Sequence, residues 1–341
     1  MPTISKLISY PIKSLPGIEC ERIALTSTGL ALDRTLALVD AETKVFVSQR
    51  SHPKLATLAV RVSPETAFVD ASVKEFDVIV SAEGMDDLVI ACDVREKGER
   101  GDGDARDAEA VSPVDIECWE WRGTCLDVGA HAREWFSAFM NDGKQYSCVR
   151  WAGRGGFPGG AQDVDDGVDV DDAVTRLTSE DYGSRRTTTT LSDGFPMLLV
   201  NQASIDAVNA GARELDPIGA PNIDGRRFRG NVVVSDAPAF AEDLWATARI
   251  ANKTDIELCK PCSRCSIPNI DPNTGEFDVS HALAKHMSQR RSGAALDTAN
   301  RFWRQSVFFG WNVICPVTQD ATTVLAVGDV VDVTSTRAKF P

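Results

Sequence analysis

The chain has no run of 18 apolar residues, so it offers no helix for crossing a bilayer. It opens on a strand-like pattern in which no signal or transit peptide is visible, and the expected compartment is cytoplasmic. Positive charge is scarce: 36 Lys and Arg against 50 Asp and Glu leave a formal net charge of −14. That deficit argues against a nucleic acid as partner, because such contacts depend on cations neutralising phosphates. No flavin or nicotinamide fingerprint is present, so any redox chemistry takes its electrons from an external donor. The nine cysteines are an odd number in a chain of 341 residues. They do not read as a disulfide framework, and a reducing environment is expected. The acidic run 165–172 lacks the residue order of a calcium-binding loop and reads as a solvated segment.

What is present is the composition of a globular protein, 43% hydrophobic and 25% charged, long enough for two domains. Short strand-like segments dominate: 3–12, 35–40, 45–48, 55–62, 76–80, 88–92 and 114–121 are expected as strands, and 192–200 as a turn leading into a buried strand. Ile4, Ile8 and Tyr10 fall on one face of the first, and Ser5 and Ser9 on the other. Helical spacing marks 131–140, 201–213 and 279–287, with Asn201 as the cap of the second. The expected class is α+β, mainly β. Residues 96–110 read as a flexible insertion and 153–172 as a loose, Gly- and Asp-rich segment, so the expected division is 3–150, a loop 151–174, and 175–335.

The chemistry gathers in Cys259-Lys-Pro-Cys262-Ser-Arg-Cys265, which runs into Asp271-Pro-Asn-Thr-Gly275. Thiolates are soft metal ligands, and the spacing alone says no more than that a metal site is possible. A zinc site would draw its fourth ligand from His281 or His286; a [2Fe–2S] cluster would need the distant Cys315. Arg264 between two thiols suits neither and suggests an anion held beside a metal. Three further segments carry cations. Lys13-Ser14 sits in a Pro/Gly turn and offers donors to a phosphate, although a solvated turn is the plainer reading. Asp33-Arg34 is either a surface ion pair or an anion contact. Arg229 and Asn231, two apart, would share one face of a strand.

These segments, in this order, resemble the MOSC-domain proteins, in particular the amidoxime-reducing component (mARC) and its YcbX-type relatives. The resemblance spans nearly the whole chain and implies an N-terminal MOSC β-barrel domain followed by a MOSC β-barrel domain, with 302–315 as its closing strand and 327–333 as the end of the barrel. It implies a molybdenum cofactor (Mo-molybdopterin) with Cys265 as the protein ligand to the metal. Lys13, Ser14, Arg34, Arg229, Asn231, Ser263 and Arg264 would hold pterin and phosphate, and Arg264 would favour the Cys265 thiolate. Gly194 and Phe195 replace small hydroxyl residues of the family, leaving only backbone N–H groups there. At Asn312 the family carries an aromatic, so a cofactor role for it is not implied. Asp193 would orient substrate or relay a proton. The implied activity is reduction of N-hydroxylated compounds such as amidoximes and hydroxylamines, with electrons from cytochrome b5 and NADH-cytochrome b5 reductase. The alternative is a carrier of the molybdenum cofactor, or of its sulfur, without reductase turnover.

Overall fold

The computed structural model describes residues 1–93, 112–153, 176–178, 182–184, 187–315 and 323–341. The expected insertion at 96–110, and all but the first residue of the segment 153–172, lie outside these.

An eight-stranded sheet dominates. From edge to edge it runs Val331–Thr336, Trp245–Ile250, Thr254–Ser263, Phe308–Ile314, Met197–Asn201, Val232–Ser235, Thr3–Ser9 and Ile18–Cys20. The first strand of the chain thus pairs with Val232–Ser235, more than 220 residues away. A bulge between Ile4 and Lys6 shifts the register of that strand. One extra residue reverses the faces. Ile4 therefore joins Leu7 in the larger core, while Ile8 and Tyr10 face the smaller one. Simple alternation had put Ile4 with Ile8.

Neighbouring strands are antiparallel except Met197–Asn201 beside Val232–Ser235. A parallel pair needs a crossover. Here it is helix Gln202–Leu215, which with helix Ala282–Arg291 covers one face through Ile205, Val208, Leu283 and Met287. Asn201 caps the crossover helix as expected, its side-chain oxygen accepting from Ala203 N at 3.1 Å. Its Nδ2 donates to the buried Glu242 at 3.0 Å and to Pro238 O at 2.8 Å. Asn201→Ala should cost about 2–3 kcal/mol, from the lost cap and one buried Glu242 oxygen left without its donor, the other still accepting from Ser204 Oγ. Urea unfolding measures this, and a loss below half a kcal/mol would contradict it.

The N-terminal half adds a four-stranded sheet (Leu36–Asp40, Tyr146–Trp151, Trp121–Asp127, Ser112–Cys118) and a three-stranded one (Ala59–Ser63, Glu75–Ser81, Leu88–Asp93). Of the stripe expected on helix Ala130–Met140, Ala132, Trp135, Phe136 and Met140 are buried and Phe139 is half-buried. The described residues are mainly β with three α-helices, as the sequence reads. Several expected strands differ in extent: 3–12 ends at Ser9, 45–48 forms only isolated bridges at Val45 and Phe46, and 302–315 shortens to Phe308–Ile314 behind the 3-10 turn Arg301–Trp303. Pro53 starts a 3-10 turn, Pro53–Thr57, that delays the strand to Ala59. The expected strand 327–333 begins only at Val331, past Gly328 at φ +90°, and runs to Thr336, while Thr323–Ala326 is a separate strand before it. Thr323–Ala326 pairs with Arg22–Thr26, a second strand pairing between the two ends of the chain.

Candidate functional site

The cysteine stretch occupies the end of the long strand Thr254–Ser263 and the turn that follows. The three thiols do not converge. Cys259 Sγ lies 3.3 Å from Asn312 O, and burial pushes its pKa up to about 12. Cys262 and the exposed Cys265 line a cavity of about 450 Å³, and Cys259 does not. His286 packs instead on the crossover helix, so close that a Cβ on Gly211 would strike its ring. Among the described residues no group of three His, Cys, Asp or Glu comes together to hold a metal.

Two layers of the fold meet at this cavity. The turn after the first strand brings Lys13 and Ser14, and a neighbouring turn brings Arg34; the segment after helix Gln202–Leu215 brings Arg229 and Asn231. Asp193, Phe195, Ser263 and Arg264 complete the wall among the expected residues, while Gly194, at φ +107°, does not line it. Gly29 makes the approach possible: a Cβ there would stand 2.5 Å from the carbonyl oxygen of Pro196, just beyond Asp193 to Phe195.

Arg229 and Asn231 do not share a strand face. Arg229 ends the 3-10 turn Gly225–Phe228 in left-handed backbone, φ 55°, and the strand begins only at Val232. Asn231 is buried with its amide fully engaged. It donates to Ile8 O (3.1 Å) and Asp33 (2.9 Å) and accepts from Leu198 N (3.0 Å) and Arg34 (3.1 Å). No hydrogen-bonding capacity is left for a ligand, so Asn231 positions Arg34. Asp33 completes this knot, taking Arg34 at 2.5 Å and Tyr10 N at 2.9 Å. The Arg34 pKa is raised: burial opposes its charge, but Asp33 outweighs it.

The other expected donors are also partly committed. Ser14 gives its proton to Val47 O at 3.1 Å. Lys13 is ion-paired with Asp193, which also accepts from Trp119 Nε1 at 3.0 Å. Crowding by protein atoms would raise the Asp193 carboxyl, yet Lys13, Trp119 and Arg34 together hold it well below the usual carboxylate range. Such a group stays ionised. At the exposed rim of the cavity it orients Lys13 and Trp119. Arg264 likewise departs from expectation: its guanidinium reaches the Cys262 sulfur at 3.2 Å and Phe228 O at 2.9 Å, not Cys265.

Uncommitted positive charge remains. Arg229 has no acidic partner among the described residues; its guanidinium stands 4.4 Å from the Tyr10 ring, which also carries Arg34 at 4.5 Å. Burial, with Arg34 close by, pushes the Arg229 pKa down to about 10. Arg264 Nε is buried without a partner. Arg50 stacks 4.3 Å from the Trp119 ring. A chain of net charge −14 has thus gathered five cations around one cavity. Sequence reasoning missed Arg50, Trp119, Phe46 and Tyr10, which join the site through tertiary contacts. No spacing signal marks them.

The MOSC N-terminal beta barrel domain matches residues 1–143 and the MOSC domain residues 186–332. The chain is 24% identical over 293 residues to mitochondrial amidoxime reducing component 2 of Bos taurus, covering 84% of this chain and 72% of that protein. It is 23% identical over 296 residues to mitochondrial amidoxime-reducing component 1 of Mus musculus, covering 84% and 71%. It is 25% identical over 298 residues to molybdenum cofactor sulfurase of Bos taurus, covering 84% of this chain but only 29% of that longer protein.

Proposed function

We propose, because this chain belongs to the MOSC-domain proteins, that it binds a molybdenum cofactor and reduces N-hydroxylated compounds such as amidoximes and hydroxylamines. The single observation that carries the reading is the surplus of unpaired guanidinium groups in the cavity that also presents the Cys265 thiol. The residues fit a phosphorylated, metal-bearing group. Among the described residues Arg229 has no acidic partner and Arg264 has a buried N–H without an acceptor, and Cys265 is an exposed soft ligand.

Cys265 would bind the metal; Arg229 and Arg264 would take the phosphate and pterin edge, with Arg34 held ready by Asp33 and Asn231. When bound, the cofactor supplies a two-electron centre for breaking an N–O bond, the oxygen leaving as water with two protons. Tyr10 orders the cationic side, since two guanidinium groups lie on its ring and its hydroxyl is tied to Gly230 O at 3.2 Å. Asp193 fixes the opposite wall by holding Lys13 and Trp119. Electrons arrive from an external carrier, cytochrome b5 with its NADH-dependent reductase.

The test is metal and phosphate analysis of protein purified from a host that makes the cofactor, with benzamidoxime reduction assayed in parallel. About one molybdenum per chain is expected, and Arg229→Gln should weaken retention roughly tenfold through a lost charge-assisted contact. Stoichiometric zinc or iron without molybdenum would overturn the reading. Relatives named molybdenum cofactor sulfurase keep a carrier role in view. Bound molybdenum with no reduction, when cytochrome b5 and its reductase are supplied, would establish that role instead.

A further inference from the structure

Arg50 belongs to none of the contacts just assigned. It lines the cavity, is half-buried, and has no acidic partner or hydrogen bond among the described residues. The nearby Glu120 does not neutralise it, being exposed at the rim and directed to Arg176 at 3.7 Å. Beneath Arg50 lies Trp119, and its placement is unusual. Trp119 and Glu120 form the two-residue loop between the paired Cys118 and Trp121, and Trp119 takes a left-handed backbone, φ 59°. Such loops favour Asn or Gly, and a bulky residue there is strained. The ring is nonetheless fixed over the cavity by its N–H to Asp193 and by Phe46, 4.9 Å away.

A guanidinium lying over an aromatic face keeps its N–H fork directed outward in its own plane, the geometry that matches a carboxylate. Lys13, over the neighbouring Phe46 ring, is already paired with Asp193, so Arg50 is the uncommitted cation at Trp119 and suits a monoanion; the cofactor's phosphate would be answered by Arg229 and Arg264. We propose that Arg50, stacked on Trp119, is a substrate-carboxylate subsite, so that the preferred substrates are small N-hydroxylated compounds that also carry a carboxylate. The substrate class rests on the reductase reading given above; the anion subsite does not.

Two measurements separate these. Calorimetry on the purified holoprotein should show benzoate binding about tenfold or more tighter than benzamide, as expected for a charge-assisted fork. Arg50→Gln should bring the two within about twofold, and Arg50→Lys, which keeps the charge without the fork, should recover only part of the preference. Kinetically, kcat/KM for 4-carboxybenzamidoxime over benzamidoxime should fall by the same factor in Arg50→Gln. Thermal melts of both variants confirm folding. Benzoate binding no tighter than benzamide, or a preference untouched by Arg50→Gln, overturns the subsite. An Arg50-dependent benzoate preference without reduction of either amidoxime supports the subsite and overturns only the reductase reading.

Discussion

Cys265→Ser is expected to abolish reduction of N-hydroxylated compounds while leaving the fold intact. Partners that merely support a metal ligand cost 10- to 100-fold when removed, so losing the ligating sulfur itself should cost on the order of 100-fold or more. A hydroxyl is a poor soft ligand. The expected separation of activity from stability has a structural cause. Cys265 is exposed and lies beyond the end of its strand, so nothing in the core depends on it. Cys259→Ser is the informative control: that thiol sits off the cavity against Asn312 O and is kept protonated by burial. It should retain molybdenum and turnover. Metal analysis and benzamidoxime reduction on both variants decide the matter, and equal metal loss in the two would return the stretch to a structural zinc role.

Asp33→Ala should be the most damaging substitution at the site, lowering stability by about 3–5 kcal/mol, the usual consequence of leaving one member of a buried ion pair alone. Its carboxylate is 1% exposed and is the common acceptor for Arg34, Asn231 and the backbone of Tyr10. Tyr10 and Arg34 lie close to it in the chain and Asn231 some 198 residues away, so the carboxylate ties the segment after the first strand to the residue that leads into the strand at Val232. Without it, Arg34 would keep its charge among buried neighbours and lose its aim. Asp33→Asn keeps an acceptor and should cost less than Asp33→Ala. Denaturant unfolding gives the order, and cofactor content should fall in parallel. A change below 1 kcal/mol for Asp33→Ala would show that Arg34 is satisfied by other means.

What the sequence determined by itself was local. Period-2 alternation marked the strands around Val78 and Ile90, the i, i+3, i+4 stripe marked helix Ala130–Met140, and Asn201 announced its helix through its own side chain. Each is a property of adjacent residues, and adjacent residues carry it. The motif residues were legible as well, because their types and order match a family. Their roles were not. Whether a donor is available to a ligand depends on what else it meets, and those partners are remote in the chain. Asn231 is exhausted by Ile8, Asp33, Arg34 and Leu198; Lys13 is taken by Asp193; Arg264 turns to Cys262. A one-residue bulge moved Ile4 to the other core, and a left-handed residue at 229 replaced an expected strand. Tertiary structure alone revealed Arg50 on Trp119, since a cation–π contact between a turn and a distant hairpin leaves no periodicity to read. Pattern fixes which segments are β or α and which face is apolar; the fold decides which of the polar groups remain free to bind.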